Sequence, residues 1–181
     1  MQPKDDLCRA ALYPRFVKAG VFDDEALWSL SSIKNEIHYA ISVASRFGLR
    51  DDQGVHRYGL NAARTANEGF EARSGRKPDV EQEVFYLGFY VIHADVIDSL
   101  PLHYFSASIK YAPEHGEREH FQIEIYLSDK NSSTRQRKKD RVALRVGLAA
   151  KMRGPKVYTS DEIAERPDWL SDIHLPFKAD L

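Results

Sequence analysis

In the stretch "VIHADVID", His93 and Asp95 lie two residues apart and Asp98 follows three residues later. These are the residue types of a proton-transfer site, with an imidazole as general base and a carboxylate to orient it. On a strand, a separation of two places both side chains on one face. A carboxylate beside a run as apolar as "VFYLGFYVI" would have its pKa raised if the site were closed to water. The same residues also suit an ordinary role, a histidine satisfied by a backbone carbonyl near a sheet edge with aspartates supporting a turn. A second grouping, His115, Glu117, Glu119 and His120 in "APEHGEREHF", offers imidazole and carboxylate ligands for zinc. Its spacing is not that of a helical HExxH, and it falls in an expected hairpin turn, where charged residues face water. No metal site and no cofactor are therefore assigned. Glycine-rich phosphate loops and the GxSxG elbow are absent.

The most uneven feature is electrostatic. The net charge of the 181-residue chain is −1, yet residues 134–156 hold nine basic side chains and one acidic. Residues 81–133 hold three basic and nine acidic side chains, and residues 157–181 hold two and six. Within the basic block, Arg135, Arg137, Lys138, Lys139, Arg141 and Arg145 crowd into "RQRKKDRVALR". Such a surface can neutralise phosphates and release condensed counterions, and guanidinium groups add bidentate bonds to phosphate or carboxylate. The segment 135–156 contains no Phe, Tyr or Trp, so it has no platform for stacking bases. An acidic protein surface, including one on a second copy of the chain in a homodimer, is the other anionic partner considered. A solvated loop is the plain alternative.

The elements that must position these groups follow from periodicity. Leu27, Leu30, Ile33, Ile37, Ile41, Ala44 and Phe47 recur every three or four residues, which predicts a helix over 24–47 capped by Asp23 or Asp24 and closed at Gly48. "LRDDQG" reads as a turn. Tyr58, Ala62, Ala66 and Phe70 predict a second helix over 57–73, ended by Gly75 and packed on the first through its alanines. Aromatic and β-branched residues in "EVFYLGFYVIHADVI" then predict a strand, with "DSLP" a turn and "LHYFSASIKYA" another strand. In "HFQIEIYLS", Phe121, Ile123, Ile125 and Leu127 alternate with Gln122, Glu124 and Tyr126, a third strand. Val142, Leu144, Val146 and Leu148 also alternate, so a fourth strand is expected, although the alanines and leucines of 141–152 allow a helix. In that scheme "NSSTRQRKKD" is the loop between the last two strands. Thr159 and Glu162 have capping-box spacing, which predicts a short helix ending before Pro167.

The resulting expectation is an α+β fold with N-terminal helices packed on an antiparallel sheet of about four strands and a short C-terminal helix. It is a single domain over 1–181, with a helical half at 1–78, a sheet half at 79–158 and a helix and tail at 159–181. Cys8 is the only cysteine, which excludes an intramolecular disulfide and favours a reducing, cytoplasmic setting. The longest apolar run is about half of the roughly 20 residues a membrane helix needs, and no export signal is visible. The function these features favour is a small soluble binding protein, not an enzyme, whose basic segment holds nucleic acid or an acidic protein. One competing expectation is a small hydrolase or isomerase with a pocket between helices and sheet, using His93 and Asp95 or Asp98 as acid and base. Another is an inhibitor or immunity-type partner of a second protein.

Overall fold

The computed structural model describes residues 5–18, 21–23, 27–28, 31–34, 37–79, 81–113 and 119–157. Its strands are β1 (Asp6–Tyr13), β2 (Val17–Lys18), β3 (Val21–Phe22), β4 (Ser31–Lys34), β5 (His38–Ser45), β6 (Phe85–His93), β7 (Phe105–Tyr111), β8 (His120–Leu127) and β9 (Arg153–Val157). Its helices are α1 (Arg46–Leu49), α2 (Asp52–Ser74), α3 (Asp95–Asp98) and α4 (Thr134–Ala149). The fold is a mixed helix and sheet arrangement built on one antiparallel sheet. Six strands run in the order β7-β8-β5-β1-β6-β9, and β4 pairs with β5 beside that path. β2 and β3 form a separate hairpin.

Two expected elements are replaced, and a sheet of about four strands placed after the helices gives way to a larger one. Where a helix was expected over 24–47, the chain forms β4, β5 and the single turn α1. β5 reads "HYAISVAS", whose Tyr39, Ile41 and Val43 alternate with His38, Ala40 and Ser42. Aromatic and β-branched side chains fill a pleated surface well. The supposed helical stripe does not hold together either, because Phe47 is 79% exposed and Ile37 is 36% exposed. The segment before residue 24 contributes β1, a central strand covered on both faces, which explains its nearly continuous burial. Cys8 and Trp28 are fully buried, as core residues.

The expected fourth strand over 141–148 is a helix, α4, and the expected loop before it is the first part of that helix. Ser133 accepts from the Gln136 amide while the Gln136 side chain accepts from the Ser133 amide, a complete capping box. Asp140, Leu144 and Leu148, spaced by four, are the buried row. Each buried leucine contributes about 2 kcal/mol. The alternating Val142 and Val146 are exposed, the reverse of what a strand would require.

The expected helix over 57–73 is present as α2, longer at its start. Asp51, read as part of a turn, caps it through the Gly54 amide at 2.8 Å, and Gly75 closes it at φ +71°. α2 packs on β1 and β6, and its helical neighbour is the single turn α1 just before it instead of a long helix over 24–47. Gly59 makes the approach possible, since a Cβ there would lie 2.0 Å from the Tyr86 ring. "DSLP" begins on Asp98, the last residue of the short helix α3, which also takes Asp95 out of the strand that carries His93. The helix expected after Thr159 lies outside the described residues.

One seam in the sheet is closed by a side chain. β4 pairs with the first half of β5 and β1 with its last residues, so the middle of β5 has no strand on that edge. Arg9 fills the gap, donating to the Ser42 carbonyl at 2.6 Å and to the Leu27 carbonyl at 2.5 Å. Its guanidinium also lies 5.5 Å from the Phe16 ring centroid and 5.7 Å from that of Trp28. Burial pushes its pKa down to about 10, so it stays charged at neutral pH. No described helix is long and apolar enough to cross a membrane.

Candidate functional site

Helix α4 divides the basic block by angle. A rotation of 100° per residue sends Asp140, Leu144 and Leu148 inward and gathers Arg135, Lys138, Lys139, Val142 and Val146 outward. Of the remaining cations, Arg137 shares the inward sector at the first turn and Arg141 and Arg145 lie on one flank, and all three serve the fold. Arg137 donates to the Ser132 hydroxyl and the Lys130 carbonyl, each at 3.1 Å. Arg141 donates to the Tyr39 hydroxyl at 2.5 Å, with its guanidinium 5.2 Å from that ring's centroid. Arg145 is half-buried and also engaged within the chain. Beyond the helix, Arg153 pairs with Asp6 at 2.6 Å and Lys156 with Asp52 at 2.9 Å. The nine-cation block is thus mostly consumed internally. Arg135, Lys138 and Lys139 are exposed and make no hydrogen bond or ion pair with other described residues. They sit in the first half of α4, where unpaired amides and the helix dipole add positive potential.

Asp140 holds this helix in place. Its carboxylate is 4% exposed and accepts from the backbone amides of His103, Tyr104 and Phe105 at 2.8 to 3.2 Å. Gln136 adds a bond to the Tyr104 hydroxyl at 2.9 Å. The exposed cations are therefore mounted on a helix clamped to the start of β7.

His93 and Asp95 do meet, with Nδ1 3.4 Å from the Asp95 carboxylate, but in the open. His93 is 48% exposed and Asp95 78%, and Asp98 is exposed as well. The Asp95 backbone amide donates to the same Nδ1 at 3.3 Å. That nitrogen accepts, whereas a histidine oriented by a carboxylate needs a proton there. His115 and Glu117 lie outside the described residues, and no cluster of three or more metal-ligating side chains occurs among those described.

The opposite sheet face holds groups that periodicity alone did not bring together. Cross-strand pairs Ile41 with Ile123 and Tyr39 with Ile125 belong to the face under α4, so His38, Ser42, His120, Gln122, Glu124 and Tyr126 belong to the other. The first half of α2 borders that second face, since its Arg57, Tyr58 and Asn61, with Leu49 of α1, line a small cleft beside His120. Glu124 is 7% exposed, bonded to the Tyr126 hydroxyl, 2.7 Å from Lys110 Nζ and 3.7 Å from His38 Nε2. Further along, Ser42 Oγ lies 2.6 Å from His120 Nε2, and His120 Nδ1 lies 2.5 Å from the Ala112 carbonyl. The alternation in "HFQIEIYLS" already turned Gln122, Glu124 and Tyr126 one way. Reading 38–45 as helix hid their neighbours His38 and Ser42. Comparison of the chain with models of protein families, with curated proteins and with solved structures gives no match.

Proposed function

We propose that the outward face of α4 is a docking surface for an acidic protein segment, and that the chain acts as a binding protein. The observation that carries this reading is the stripe Arg135, Lys138, Lys139, Val142 and Val146, in which cations pass directly into two valines 40% and 46% exposed. Positions i, i+3, i+4, i+7 and i+11 form one helix face. Carboxylates on a partner match its first half, and one or two apolar side chains match its second. A phosphate backbone would use the cations and leave the valines in water, and the stripe has no aromatic side chain on which bases could stack.

The test is quantitative binding to partners captured from the native cell, with and without nuclease. Reversal of all three exposed charges, Arg135→Glu, Lys138→Glu and Lys139→Glu together, is expected to weaken binding by about 2 kcal/mol, or roughly thirtyfold, and to flatten its salt dependence. The melting temperature should stay near that of the parent chain, because none of the three supports the fold. Val142→Ser with Val146→Ser should weaken the same complex. A captured species that disappears with nuclease would assign the face to nucleic acid. Affinity unchanged by the charge reversal would remove the reading.

A further inference from the structure

We propose that Ser42 and His120 form a nucleophile and base pair that accepts an acyl group from small activated esters. The assignment begins with the carbonyl of Ala112. A carbonyl oxygen only accepts, so the 2.5 Å contact places the proton of neutral His120 on Nδ1. Nε2 is then the lone-pair nitrogen, and the Ser42 hydroxyl 2.6 Å away donates to it. This is the tautomer in which imidazole can take a serine proton.

The surroundings hold the pair at that geometry. His120 stands opposite Ala44 in the β5 and β8 register, so its ring reaches diagonally to Ser42 on the same sheet face. It is 5% exposed, whereas Ser42 is exposed, which leaves the attacking oxygen open and its base dry. The Ser42 carbonyl is pinned by Arg9. Gln122 lies directly opposite Ser42 on the same sheet face, while Lys110, the next residue across, turns its ammonium to Glu124 and Tyr126.

In the first step Ser42 Oγ bonds to the carbonyl carbon and its proton passes to Nε2. The bond from that carbon to the leaving oxygen then breaks, and Nε2 returns the proton to the leaving alcohol or phenol. Water releases the acyl group by the same sequence, regenerating the serine.

The test uses the full chain with a small fluorophosphonate probe, peptide mapping of the labelled residue, and p-nitrophenyl acetate turnover. Labelling at Ser42 is expected to be about 100-fold faster than at Ser106, an exposed serine on β7. Ser42→Ala should abolish the label and the acetate turnover, and His120→Asn should slow both about 100-fold. Equal labelling of Ser42 and Ser106, or a rate indifferent to a folded His120→Asn chain, would mean that the contact only satisfies a buried imidazole. Should His120→Asn fail to fold, Ser42→Cys and Ser106→Cys with His120 intact decide the matter by iodoacetamide alkylation. The pair predicts at least about tenfold faster alkylation at position 42, and equal rates overturn it. Native Cys8 adds no background, since it is fully buried with its thiol pushed up to about 12 by that burial.

Discussion

Asp140 and Glu124 are both nearly buried carboxylates on opposite faces of the sheet, and they are satisfied in different ways. Asp140 takes three amides from consecutive residues of one backbone segment. Among the described residues, Glu124 is met by side chains, namely Lys110, Tyr126 and His38. A backbone amide cannot turn away when its acceptor is removed. A lysine whose side chain is 57% exposed can return to water at little cost. One carboxylate is a structural clamp, and the other belongs to a polar face whose partners could be exchanged.

That contrast can be broken by substitution. Asp140→Ala leaves three amides without an acceptor under α4 and is expected to cost about 4 kcal/mol in urea unfolding. Asp140→Asn, which keeps one carbonyl acceptor, should cost about half as much. Glu124→Gln removes the charge but keeps an acceptor for Tyr126, and about 1 kcal/mol is expected. Lys110→Met deletes a mostly exposed ammonium, and its effect should be near 0.5 kcal/mol, about the worth of a surface pair. If Glu124→Gln proved as damaging as Asp140→Ala, the polar face would be as much a part of the scaffold as the clamp.

The sequence showed α2 through its stripe and the terminator at Gly75, β8 through clean alternation in "HFQIEIYLS", and β6 and β7 through their aromatic and β-branched side chains. It misled where two periods fitted the same residues. Ile37, Ile41 and Ala44 satisfy a helical spacing, and Tyr39, Ile41 and Val43 satisfy a strand. The decision came from β8 and β1, which offer that segment partners on both edges. In α4 the alternating valines suggested a strand, and only the capping pair Ser133 and Gln136, legible in "SSTRQ", pointed to a helix start. The cations of the basic block were all visible, but their division into an outward stripe and an inward clamp needed the helical angle. The pairing of Ser42 with His120 spans 78 residues and depends on sheet register, which local pattern does not contain.

The position of β1 has a consequence for how the molecule assembles. Residues 6–13 form a strand between β5 and β6, so the first described strand waits for partners that end at residues 45 and 93. Most of its hydrogen bonds close loops of more than 70 residues. Pairings of such long sequence separation place the chain among slowly folding topologies. During synthesis, β1 must leave the ribosome and stay unpaired along most of its length until β6 has followed it, which makes that interval the one in which chaperone binding or aggregation competes with folding.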